Sequence, residues 1–287
     1  MAGIWTILSL KKGALELKML PGIGGRLWDI VFQKRSLLFQ NPDLMQQPAH
    51  LSALKDLPTR SPQFGFPLWG GEKTWVAPDR DWPDGAPYPV LDSGPYEFVL
   101  ETDDQIEMTS HICPVSKLQV TRLISLQSAD RFSIHHTLRN CGTVERTAGI
   151  WSVMMLNHPT TIRIEDPQAG TFAPVFGDPG PFVRTGGADL KVECMMQGEF
   201  KFGVQAPSGN TDLLAGHGAD AVRLQCSTTR PLGTDSFAHG HNFEVFNSGD
   251  YPYCEAEWHA PEHQLRPGAQ MLFSQEFHVS MDHPSPA

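Results

Sequence analysis

Leu118-Gln119-Val120-Thr121-Arg122-Leu123-Ile124-Ser125-Leu126 and, after a short gap, Phe132-Ser133-Ile134-His135-His136-Thr137-Leu138-Arg139 decide the fold. Leu118, Val120, Ile124 and Leu126 share one parity, with Arg122 between them. Phe132, Ile134, His136 and Leu138 repeat the pattern, while Ser133, His135, Thr137 and Arg139 take the other parity. Successive side chains of a strand point to opposite faces, so this period of two reads as half-buried β-strand, not as helix. Asn140-Cys141-Gly142-Thr143 closes the second run as a turn.

Outward from this pair, the same reading predicts strands over 3–10, 14–20, 24–32, 95–101, 105–112, 149–156, 190–194, 198–205, 219–225, 243–247, 252–258 and 270–279. Helical signals are scarce. Residues 43–57 carry Leu44, Leu51, Leu54 and Leu57, but Pro42, Pro48 and Pro58 confine any helix to a short one. Residues 61–95 are rich in proline and hold Trp69, Trp75 and Trp82, which predicts an ordered loop packed over a sheet. Residues 166–189 form a second Gly/Pro-rich excursion. With 26 Gly and 24 Pro in 287 residues, the chain favours many short strands joined by turns. The expected fold class is all-β, an antiparallel sandwich of two large sheets in one continuous domain over 1–287; a sandwich with an appended β domain is the structural alternative.

The formal net charge of −10 and the absence of a basic patch argue against nucleic-acid binding. No apolar run is long enough to span a bilayer as a helix, and the first residues lack the pattern of a secretory signal, so a cytoplasmic location is expected. Cys113, Cys141, Cys194, Cys226 and Cys254 are dispersed and odd in number, which reads as buried reduced thiols. Gly24-Gly25 lacks the lysine and following helix of a phosphate loop, and no Gly-x-Ser-x-Gly elbow is present.

Three groups of segments together resemble the galactose-mutarotase-like superfamily, most closely an uncharacterised domain family within it. The first is Gly24-Gly25-Arg26-Leu27 with Leu38-Phe39-Gln40-Asn41-Pro42. The second is Leu68-Trp69-Gly70-Gly71-Glu72-Lys73-Thr74-Trp75, continuing through Trp82-Pro83 to Leu91-Asp92-Ser93-Gly94-Pro95-Tyr96. The third is Tyr253-Cys254-Glu255-Ala256-Glu257-Trp258 with Leu265-Arg266-Pro267-Gly268 and the closing strand over 273–279. The resemblance spans roughly residues 15–280 and implies an antiparallel β-supersandwich with a cleft of sugar size. It implies carbohydrate as the small-molecule partner and isomerisation at the anomeric carbon, as in aldose 1-epimerases, with no cofactor.

Those epimerases use a late glutamate as general base, and Glu255 best matches that position. Glu257 lies two residues on, hence on the same face of a strand, and is an equal candidate. The family's histidine acid follows the central Asn-Gly turn, where this sequence places Trp151. A tryptophan cannot serve as general acid but can stack on a sugar ring. The vacant donor role falls to His111, His135 or Lys73, whereas the parity of His136 makes it a core residue. Trp69, Lys73, Trp75, Asp79, Arg122 and Trp151 are the candidate ligand-binding residues. Lys73 is bracketed by tryptophans, and Arg122 interrupts an apolar face, so it faces a cleft or joins an internal ion pair. His239 and His241 are expected in a solvated loop with no required metal, although an oxygen-ligand calcium site between strands stays open. Lys201, between Phe200 and Phe202, is expected on a solvated face. The alternatives to an isomerase are a non-catalytic sugar-binding or sensing protein, a lyase-like enzyme using the same cleft, and an interaction protein. A monomer or homodimer is expected.

Overall fold

In the computed structural model, residues 3–47, 54, 57 and 65–282 are described. The strands, in chain order, begin with β1 (Leu8–Lys12), β2 (Leu15–Leu20), β3 (Arg26–Phe32), β4 (Arg35–Ser36), β5 (Glu72–Ala77), β6 (Tyr96–Thr102) and β7 (Gln105–Ser110). There follow β8 (Leu118–Leu126), β9 (Arg131–Asn140), β10 (Arg146–Asn157), β11 (Thr160–Ile164), β12 (Ala173–Gly177), β13 (Val183–Gly186) and β14 (Asp189–Cys194). The last are β15 (Phe200–Val204), β16 (Asn210–Ala215), β17 (Val222–Thr228), β18 (Phe243–Asn247), β19 (Tyr253–His259), β20 (His263–Leu265) and β21 (Gln270–Met281). Among the described residues there is one α-helix, α1 (Pro89–Asp92), a single turn. Among the described residues no helix is long and apolar enough to cross a membrane.

The strands form two antiparallel sheets. The first runs β1-β2-β3-β5-β10-β19-β18-β15-β12, with β4 added to β3 and β20 to β10. The second runs β13-β14-β11-β16-β17-β21-β9-β8-β7-β6. The alternation that identified β8 and β9 holds: Leu118, Val120, Ile124, Phe132, Ile134 and Leu138 are buried between the sheets. They pack there with Val76, Ile150, Met154, Phe277 and Val279. The all-β sandwich expected from the sequence is the fold observed.

A polar seam crosses this apolar interior. Arg122 of β8 forms a fully buried ion pair with Glu72 of β5 and donates to the Gly25 carbonyl at 2.5 Å. Ser152 Oγ of β10 lies 3.1 Å from Glu72 Oε1 and 2.9 Å from Gln275 Oε1 of β21, so its one proton is shared between the two acceptors. His136 of β9 contacts Thr74 at 2.8 Å and Gln275 at 2.9 Å. These contacts fix which face of the first sheet looks inward: Glu72, Thr74 and Ser152 face the second sheet. By the pleat, Lys73, Trp75, Trp151 and Val153 face away from it.

Several boundaries differ from the sequence reading. The first strand starts at Leu8, because residues 3–6 form a turn closed by Thr6 N–H on the Gly3 carbonyl at 2.9 Å. Residues 61–95 are not one loop: β5 is an interior strand between β3 and β10. Its period was hidden because every residue of Glu72–Ala77 is buried and the charges on both faces are paired. The excursion at 166–189 contains β12 and β13, and β11, β16 and β20 were not foreseen. Of the short helix expected at 43–57, residues 42–46 are turn, while 48–53, 55, 56 and 58–64 lie outside the described residues. The cysteines are unpaired; all but the half-buried Cys141 are buried.

Candidate active site on the outer face of the first sheet

The face of the first sheet turned away from the second carries a polar row set by strand register. Lys73 pairs with Val153, Val153 with Glu257, Glu257 with Glu244, and Glu244 with Gly203. One step along the strands, Met155, Glu255, Phe246 and Lys201 are aligned in the same way. On the other side, Trp75, Trp151 and His259 form a third row. Glu255, Glu257 and His259 are therefore successive outward side chains of β19, and all three are buried.

Phe66, Leu68, Asp79, Arg80, Trp82, His239 and His241 come from outside these strands, and Val175 and Phe176 from β12 at the edge of the same sheet. They enclose a cavity of about 560 Å³, with Trp75, Trp151, Lys201, Glu244, Phe246, Tyr253 and Glu255 as its floor. The wall is strongly aromatic. Trp82 stacks on Trp151 at 5.6 Å between ring centres, and Trp75 meets both edge-on at 5.2 and 5.0 Å. His259 stacks with the Trp151 ring at 5.0 Å between ring centres.

Two ammonium groups organise the carboxylates. Lys73 Nζ lies 2.9 Å from Glu255 Oε1 and 4.3 Å from the centre of the Trp75 ring. Burial lowers the Lys73 pKa, and Glu255 works against that shift. Lys201 Nζ bridges Glu244 Oε2 at 2.7 Å and Glu257 Oε2 at 2.9 Å, over the Trp151 ring at 4.7 Å. Burial opposes its charge, but the two carboxylates outweigh burial and raise its pKa. Burial pushes Glu257 up to about 8, against Lys201 and with the help of Glu244 and Glu255. Glu257 also accepts from Trp151 Nε1 at 2.8 Å.

Glu244 is the hub of a histidine cluster. Its Oε1 lies 2.9 Å from His239 Nδ1 and 2.5 Å from His241 Nε2, and its Oε2 lies 3.5 Å from His259 Nε2. Burial would raise the Glu244 pKa, but Lys201 and the histidines hold it well below the usual carboxylate range. His239 Nε2 also lies 3.3 Å from Asp79 at the rim. Burial disfavours its charge, yet Asp79 and Glu244 win and raise it to about 9. His259 is lowered to about 4, chiefly by burial. Gly203 makes room for this cluster, since a Cβ there would overlap the His241 imidazole.

The structure brings together Glu255, Lys73, Trp75, Trp151 and Asp79, and it adds Glu257 just beneath. It does not bring in the others. His111 is exposed beyond the end of β7. His135 lies on the outer face of the second sheet, bonded to Ser274 at 2.8 Å, because its parity is opposite to that of the core. Arg122 takes the ion-pair alternative and sits between the sheets. Trp69 is buried in a separate cluster with Leu20, Trp28 and Leu44, and its Nε1 donates to Ser93 at 3.0 Å. Lys73 touches Glu255 directly, so it positions that carboxylate and does not face it across a ligand.

Two sequence expectations are corrected here. His239 and His241 are not in a solvated loop; His241 is 5% exposed and both bond to Glu244. Lys201 is not on a solvated face, because its ammonium is drawn in by two buried carboxylates. Glu244 and His259 were missed altogether. The signal for His259 was in hand, since it continues the i, i+2 series from Glu255 and Glu257. Glu244 gave none, because it sits inside the apolar run Phe243 to Phe246.

With this geometry in place, solved structures supply the comparison. A galactose mutarotase-like protein from Clostridium acetobutylicum superposes with a TM-score of 0.60 at 10% identity, covering 98% of this chain and 98% of that one. The fold is similar to that of galactose mutarotase-like proteins. A candidate aldose 1-epimerase from Escherichia coli K12 superposes with a TM-score of 0.56 at 15% identity, over 96% and 99% of the two chains. A Synechocystis protein reaches 0.63 at 12% identity, over 98% and 99%. No family model and no curated protein matches the chain. At these identities the mutarotase-like likeness concerns the fold.

Proposed function

We propose that this protein is a carbohydrate-active enzyme that interconverts the anomers of a monosaccharide or sugar acid, with Glu255 as general base. The observation that carries this reading is the Glu255 carboxylate on the floor of an aromatic-walled cavity of about 560 Å³. Trp75, Trp82 and Trp151 line the cavity with apolar ring surface, and Asp79, Lys201, Glu244 and Glu255 add polar groups to the same lining. In the reaction, Glu255 takes the proton of the anomeric hydroxyl. The anomeric carbon becomes a carbonyl as its bond to the ring oxygen breaks, and the ring oxygen takes a proton from a water molecule, which the proton held by Glu255 replaces. Rotation of the carbonyl and reversal of these steps give the other anomer with no net change in atoms or electrons. Lys73 holds Glu255 in place as the proton moves.

A second reading, binding without turnover, is supported by two features. Trp151 stands where the resemblance expects a histidine acid, and Glu255 is already engaged by Lys73. Binding and anomer interconversion measured separately across a panel of sugars and sugar acids decide between them. The enzyme reading expects a rate above the buffer reaction that falls about 10²–10⁴-fold in Glu255→Gln with binding retained. Tight binding with no rate above buffer would leave the binding reading, and an unchanged rate in Glu255→Gln would remove Glu255 as the base.

A further inference from the structure

The cluster around Glu244 asks for more than hydrogen bonding explains. His259 is 3% exposed; its Nε2 stands 3.5 Å from Glu244 Oε2, too far and ill-aligned for a good hydrogen bond, and its Nδ1 has no partner among the described residues. A buried imidazole left unsatisfied is costly, and such groups are rare in folded proteins. Glu244 has gathered His239, His241 and His259 around itself from two separate segments, with Gly203 hollowed out beneath them.

We propose that His239, Glu244 and His259 form a binding site for one divalent transition-metal ion. One nitrogen from each histidine and a Glu244 oxygen all lie within 4.8 Å of one another. Tetrahedral ligands at about 2.0–2.2 Å from a shared ion stand about 3.3–3.6 Å apart, so side-chain rotations that draw these atoms together by about 1 Å close the set. Two imidazoles and one carboxylate select zinc or a neighbouring first-row ion over calcium or magnesium, which favour all-oxygen shells. The ion gives the buried His259 imidazole a partner. His241, 2.5 Å from Glu244 Oε1, acts as a positioning residue that orients the carboxylate. His239 and Glu244 line the cavity, so the ion borders the ligand space, where it can polarise a sugar oxygen. That last role rests on the function proposed above; metal binding itself does not.

The test uses the full chain stripped with a chelator and titrated with Zn²⁺ by calorimetry, then loaded with Co²⁺ for absorption and X-ray absorption spectroscopy. The site expects one equivalent bound, visible Co²⁺ bands, and a first shell of nitrogen and oxygen with the multiple-scattering signature of about two imidazoles. His239→Ala, at the more exposed ligand, weakens Zn²⁺ binding at least 100-fold with an unchanged circular dichroism spectrum. His278→Ala, on the second sheet, leaves binding unaltered. No stoichiometric binding by the unmutated chain, a shell without imidazole, or equal affinity in His239→Ala would overturn the site. Since no sugar is present, its failure is distinct from failure of the isomerase reading.

Discussion

Lys73 reaches across a whole strand to touch Glu255: its Nζ lies 2.9 Å from Oε1, although β10 runs between their two strands. The residues are 182 positions apart in the chain, and both side chains are almost completely buried. One contact thus ties the early motif around Gly70-Gly71 to the late acidic strand and sets the floor of the cleft.

Removing only one member of this pair strands a buried charge. Lys73→Met is expected to lower unfolding free energy by about 3–5 kcal/mol, the cost typical of breaking a buried pair. Lys73→Met combined with Glu255→Gln should recover most of that loss. Urea unfolding of the two single variants and the double variant checks it through the coupling energy. Simple additivity would mean that the pair is not formed.

Gly203 has ordinary backbone angles, so its importance is steric, resting on the His241 ring that covers it. Gly203→Ala should cost about 1–3 kcal/mol, as overpacking generally does. Truncating the ring in the double variant Gly203→Ala, His241→Ala should relieve the clash and leave the double variant no less stable than His241→Ala alone. Thermal melts of the four proteins test this; an alanine tolerated at 203 with His241 intact would contradict the packing described.

His136 is buried between the sheets, and burial lowers its pKa from 6.5 to about 3. Its folded-state pKa lies below the unfolded value, so the unfolded chain binds the extra proton first. The stability linked to neutral His136 is complete above about pH 6.5 and drains away as pH falls toward 3. One proton contributes a slope of at most about 1.4 kcal/mol per pH unit in that window. Urea unfolding from pH 7 to pH 4 should show this slope reduced in His136→Gln. Identical slopes in the two proteins would refute the assignment.

How far the sequence could be read depends on whether each face of a strand has its own character. β8 and β9 alternate because one face is core and the other meets solvent, so parity alone identified them and placed His136 inside. β5 and β19 are buried on both faces, and their charges are held by partners far away in sequence. Periodicity could therefore assign Glu255 and Glu257 to one face but could not pair either with Lys73 or Lys201. Arg122 illustrates the same limit: its position in an apolar row required a partner, and only the fold identified Glu72. The histidine cluster depends on the approach of 239–241 to β18 and β19, a tertiary event with no local pattern beyond the spacing of His259 from Glu257.

The most direct measurement is a structure of the protein with a sugar bound, obtained by soaking or co-crystallising the best ligand from the panel. The account predicts a ring against Trp75, Trp82 or Trp151 with a hydroxyl within hydrogen-bond distance of Glu255. A sugar seated instead on the outer face of the second sheet, or one in the cleft with Glu255 still bonded only to Lys73, would contradict it.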